Sequence, residues 1–83
     1  MPGIEELVCR MRANPRDVRF RDALRVARHY FVPPRVRGSH HFFSMPWRGS
    51  PLVNLQEGGG TAKAYQIRQL LAAVDRLERE RHA

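Results

Sequence analysis

Apolar residues recur along this chain in two rhythms, and the rhythm changes twice. Between residues 3 and 13, Ile4, Leu7, Val8 and Met11 follow the i, i+3, i+4, i+7 spacing that predicts an amphipathic helix. Glu5 and Glu6 fall in its first turn, where the helix dipole favours acids, and Asn14-Pro15 ends it. Over 20–30 the pattern repeats: Phe20, Ala23, Leu24, Ala27 and Phe31 line one side, while Arg21, Arg25 and Arg28 point elsewhere. No Ser or Thr marks the start of this second helix. A third stripe of Ala64, Ile67, Leu70, Leu71, Val74 and Leu77 predicts a helix over 64–80, with Thr61 as its candidate cap.

Between the second and third helices the period falls to two. Pro33-Pro34 blocks helix continuation, and Arg35-Val36-Arg37 alternates. Gly38-Ser39 reads as a two-residue hairpin turn of the Gly-X kind, leading into a strand from His40 to Met45. Leu52 to Gln56 reads as a third strand, with 46–50 as a long loop and Gly58-Gly59-Gly60 as a flexible connector. The order α-α-β-β-β-α predicts an α+β fold: a three-stranded antiparallel sheet with helices on one face.

The short turn fixes the register. It pairs Arg37 with His40, Val36 with His41, and Arg35 with Phe42. Placing Val53 and Leu55 on the apolar side sets Phe43 opposite Val53 and Met45 opposite Pro51. Asn54 then lies beside Phe42, and Gln56 beside His40. One face carries Arg35, Arg37, His40, Phe42, Ser44, Leu52, Asn54 and Gln56. The core face carries Val36, His41, Phe43, Met45, Val53 and Leu55. The adjacent histidines therefore separate. His41 is expected to be a core histidine with one nitrogen hydrogen-bonded. His40 is either an inert surface residue or a proton-transfer group beside two guanidiniums, two amides and a ring.

Charge narrows the classes of partner. The chain of 83 residues carries fourteen Arg, one Lys and eight acids, a net charge of +7. Residues 1–38 hold nine basic and four acidic residues, so the excess is mostly there. Such a balance suits a polyanion or an acidic protein, and Arg forks suit phosphate. Arg21, Arg25 and Arg28 are either a solvated helix face or a basic stripe. Trp47 is either a partner anchor or a lid over the sheet end. Lys63 and Tyr65, flanking the start of the last helix, offer either a phosphate contact or a solvated lysine beside a tyrosine on the sheet edge.

Several classes are not expected. No apolar run approaches transmembrane length, and MPGIEELVCR lacks the pattern of a signal peptide. One cysteine cannot build a disulfide framework or a zinc cluster, and Cys9 reads as an ordinary thiol. His40 and His41 diverge in a strand, so no metal site and no cofactor are expected. Neither a Ser-His-Asp arrangement nor phosphate-loop spacing is legible. A small domain in a reducing, cytoplasmic compartment is expected.

Arg37-Gly38-Ser39-His40-His41-Phe42-Phe43 resembles the Gly-Ser-His motif of HicA-like toxins, small ribonucleases of bacterial toxin–antitoxin systems. Val53-Asn54-Leu55-Gln56, the glycine run and Ala62-Lys63-Ala64-Tyr65-Gln66-Ile67-Arg68-Gln69 are similar to one branch of that family. The resemblance covers roughly residues 18–78. It implies a core like a double-stranded-RNA-binding domain, with 1–17 adding an extra helix to a single domain of 1–83. That helix either completes the core or adds a contact surface. The resemblance also implies metal-independent cleavage of mRNA with His40 as the active histidine, and a HicB-like antitoxin that covers its face. Arg35, Arg37, Ser39, Phe42, Asn54, Gln56 and Lys63 are then the candidate RNA-binding set. The alternatives are a non-catalytic RNA-binding module and an interaction protein for an acidic partner.

Overall fold

A computed structural model describes residues 2–48 and 52–82. Three helices and three strands follow the expected order: α1 (Ile4–Ala13), α2 (Phe20–Tyr30), β1 (Arg35–Arg37), β2 (His40–Phe43), β3 (Val53–Gln56) and α3 (Ala64–Arg81). The sheet order is β1-β2-β3, antiparallel throughout. The β1–β2 register is the one that the Gly-Ser turn dictates, with Arg37 opposite His40, and the β2–β3 register is the one that core-facing Val53 and Leu55 require, with Phe43 opposite Val53. Gly38 has φ of +59°, as a turn with glycine at its first central position requires, and no described non-glycine residue adopts a positive φ. β1 has the expected extent, while β2 and β3 are shorter than expected. Met45 lies beyond the end of β2, and its expected partner Pro51 lies outside the described residues.

The core forms where helix stripes meet the apolar face of the sheet. Phe43, Val53 and Leu55 from the strands join Phe20, Ala23, Val26 and Ala27 of α2 and Ile67, Leu70, Leu71 and Val74 of α3. The N-terminal helix belongs to this core: Leu7, Val8 and Met11 are buried. Its other tie is a two-pronged ion pair, Arg12 Nη2 to Asp75 Oδ1 at 2.6 Å and Nη1 to Oδ2 at 3.1 Å. That hydrogen bond, with the guanidinium charge, holds the Asp75 carboxyl below its ordinary value and raises Arg12.

Three expectations fail, each for a local reason. Val36 alternates toward the helices yet is 53% exposed, because β1 packs on β2 and lies outside the helical layer. Thr61 does not cap α3. The cap position is Lys63, with no side-chain hydrogen bond, and the Thr61 hydroxyl instead bonds the Gly58 carbonyl at 3.4 Å. The glycine run is not a loose connector. Gly59 (φ +65°) and Gly60 (φ +85°) make a turn whose backbone is tied to the chain before α2. The Phe20 N–H donates to Gly60 O at 3.0 Å, and the Ala62 N–H to Val18 O at 2.9 Å. Glycine is needed because left-handed backbone costs other residues about 1 kcal/mol or more.

These ties orient the molecule. Phe20, the first residue of α2, touches His41 near the start of β2. Gln66, in the first turn of α3, bonds Gln56 at the end of β3. Both helices therefore start at the end of the sheet that carries the Gly38-Ser39 turn. At the opposite end Trp47 is half-buried, edge-on to Phe31 with ring centroids 6.3 Å apart. The Arg76 guanidinium lies 4.3 Å from the Trp47 ring centroid. This is the arrangement of a lid over that end of the sheet.

Candidate active site

Strand alternation puts His40 on the sheet face opposite the helices, between two neighbours. Arg37 is its partner on β1 and Gln56 its partner on β3. Phe42 lies one step along the same face, between Arg35 and Asn54. The structure thus brings Arg35, Arg37, His40, Phe42, Asn54 and Gln56 onto one surface. The arginines and Ser39 are exposed; His40, Phe42, Asn54 and Gln56 are half-buried. No residue of the three strands is acidic.

Two contacts hold the His40 ring. Its Nδ1 lies 3.2 Å from Asn54 Oδ1. Against the amide oxygen, which only accepts, the Nδ1-protonated tautomer is the one that donates. In the neutral ring Nε2 is then the basic nitrogen. The second contact is Phe42, whose ring stacks nearly parallel to His40 at 10°, with centroids 5.7 Å apart. Asn54, one of the candidate RNA-binding residues, is thus also the side chain that contacts the His40 ring. A diagonal neighbour across an antiparallel pair lies about 7–8 Å away, within reach of such side chains, which explains the contact.

Lys63 does not belong to the sheet register. It is exposed at the N-cap of α3, on the helix side of the same end of the molecule. Tyr65 beside it is 53% exposed, and its hydroxyl accepts a hydrogen bond from Gln66 Nε2 at 3.3 Å. His41 faces the other way, with its ring 5.0 Å from Phe20 at a 58° tilt. Its Nδ1 is buried with no hydrogen-bond partner. Its surroundings explain this, since Phe20 lies over it and Val36 is its strand partner.

Sequence reasoning missed Gln66. It is fully buried, and its Oε1 accepts the Gln56 backbone N–H at 2.8 Å. β3 is an edge strand, so that N–H has no strand to receive it. Gln66 thereby fixes the residue directly opposite His40. The available signal was a polar residue next to Ile67 in a stripe otherwise apolar.

Among the described residues no three His, Cys, Asp or Glu side chains gather as a metal site, and Cys9 is exposed. Among them too, no helix is long and apolar enough to cross a membrane. No protein-family model, curated protein or solved structure matches the chain.

Proposed function

We propose that this chain is an endoribonuclease of the HicA toxin type, cleaving mRNA without a metal and using His40 as its proton-transfer group. The observation that carries the reading is the orientation of His40. Asn54 and Phe42 hold its ring on an open face, with Nε2 as the basic atom and Arg37 directly opposite. A neutral imidazole with one nitrogen fixed by an acceptor is suited to general-base work.

In the proposed reaction, Nε2 removes the proton of a ribose 2′-hydroxyl. The 2′-oxygen attacks the adjacent phosphorus, and the bond from phosphorus to the 5′-oxygen breaks. The leaving oxygen takes a proton from the imidazolium or from water. The products are a 2′,3′-cyclic phosphate and a 5′-hydroxyl, so atoms and charge balance. Arg37 stabilises the charge that develops on phosphorus, with Arg35 holding a neighbouring phosphate. Lys63, Ser39 and Gln56 contact the RNA around that point. A base extends the stack that Phe42 makes with His40. One titratable side chain on the face predicts slow turnover.

An acidic HicB-like antitoxin fits the same reading: it would cover this face in the cytoplasm and keep the ribonuclease silent. The test is purified protein incubated with RNA in excess chelator, with mapped product ends. Cleavage leaving 2′,3′-cyclic phosphate is expected. Tight binding with no products would favour a non-catalytic RNA-binding module, and cleavage that stops with the chelator would overturn the metal-independent mechanism.

A further inference from the structure

Most of the arginines are not on the sheet face. Four of them, Arg10, Arg19, Arg21 and Arg25, line one surface groove of about 440 Å³ between α1 and the start of α2, with Pro2 and Asp22 completing the wall. Asp22 is the carboxylate in the lining against four guanidiniums, and Glu6 pairs with Arg10 from outside it. Arg21 and Arg25 are four residues apart on α2, so their like charges share one helix face, an unfavourable pairing that an anion between them would relieve.

The groove is partly organised. Arg25 Nη1 donates to the Pro2 carbonyl at 2.6 Å, which fixes that guanidinium in the wall. Arg10 bonds Glu6 at 3.2 Å, but both side chains are more than half exposed. Exposed pairs of this kind are weak, so Arg10 can exchange Glu6 for a stronger acceptor. Arg19 and Arg21 are exposed.

Position links the groove to the candidate active site. Arg19 is the N-cap of α2, and its backbone bridges to Thr61 beside the glycine turn. That turn follows Gln56, the strand partner of His40, by two residues. Only the Glu57–Thr61 segment separates the arginine groove from the His40 end of the sheet along this path.

We infer that this groove is a second phosphate-binding site, which holds the backbone of single-stranded RNA beyond the nucleotides bound at His40. The inference rests on the ribonuclease reading for its substrate. The lining favours RNA over a protein partner. Protein interfaces are anchored by buried aromatic or aliphatic side chains, and this groove offers only Pro2. Arginine forks match phosphate oxygens without reading bases, so the groove adds affinity and no sequence preference.

The test is the salt dependence of RNA binding in a His40→Ala background, which removes cleavage from the measurement. A fluorescent single-stranded RNA of about twelve nucleotides is titrated with that protein and with the same protein carrying Arg19→Gln and Arg21→Gln. A third protein carries Arg28→Gln, on α2 outside the groove. Each lost phosphate contact reduces the slope of log K against log salt by about 0.7 for single strands, so the double variant should lose about 1.4. Arg28→Gln should leave the slope unchanged. Equal effects of the groove and Arg28 variants, or no effect of either, would overturn the groove. So would loss of binding to an acidic protein while RNA binding stays intact. Cleavage that persists without His40 would instead sink the catalytic reading and leave the groove standing.

Discussion

Gln66→Ala probes how the fold supports the candidate site. The side chain is fully buried, and its Oε1 is the partner of the Gln56 N–H at 2.8 Å. Removing it strands a backbone donor, at a cost of about 1–3 kcal/mol. It also deletes buried side-chain volume, at about 0.8 kcal/mol per methylene equivalent. Together these give about 2–4 kcal/mol, a large share of the roughly 4–12 kcal/mol expected for a chain of 83 residues. At about 4–8 °C per kcal/mol for a domain of this size, the melting temperature should fall by roughly 8–32 °C. Two readouts are needed: thermal unfolding by circular dichroism, and amide exchange at Gln56 and Glu57. Glu57 matters because its N–H donates to Ser39 O at 3.0 Å, the bond that closes the sheet beside His40. Both amides should exchange faster in the variant. A melting temperature within about 4 °C of the parent, with Gln56 protection unchanged, would refute the role given to Gln66.

The other predictions concern the helices and the histidine's partner. Met11 is 1% exposed, so Met11→Ala should cost about 2–5 kcal/mol in urea unfolding, as expected for a core residue and not for an appended helix. The Arg12–Asp75 pair is nearly half exposed, so Asp75→Asn should cost only about 0.2–1 kcal/mol. Its pH dependence has a definite sign. The Asp75 carboxyl is held down chiefly by the Arg12 hydrogen bond, so its contribution is full above the unfolded carboxylate value. It is lost as pH falls through the lower folded value, and Asp75→Asn should flatten the acid limb of a stability–pH curve. Asn54→Ala should slow RNA cleavage, by no more than the roughly 10²–10⁴-fold that acid–base catalysis contributes, since Asn54 acts through the proposed proton-transfer group His40. Asn54→Asp should restore part of it, since a carboxylate also accepts from Nδ1.

The fold was legible where spacing carries the information. A two-residue turn at Gly38-Ser39 leaves one register for β1 and β2, and Val53 and Leu55 then fix β3 by alternation. The same reasoning separated His40 from His41 before any contact was known. What spacing does not encode is how far the helices extend across the sheet. Val36 has the alternation of a core residue, yet it sits on a strand outside the helical layer. Thr61 has the chemistry of a cap, but the turn made by Gly59 and Gly60 uses it first. The tie from Asn54 to His40 depends on diagonal side-chain reach, which a face assignment lists only as neighbours. Gln66 was hidden because a lone polar residue in a helix reads as surface until the strand edge it covers is known.

The proposed chemistry turns on one nitrogen. The decisive measurement is the cleavage rate of a single RNA by the parent protein and by His40→Ala, both in excess chelator and both confirmed folded. General acid–base catalysis contributes about 10²–10⁴-fold, so His40→Ala should cleave at least about 100 times more slowly while still binding the RNA. An undiminished rate in the variant would contradict the assignment of His40.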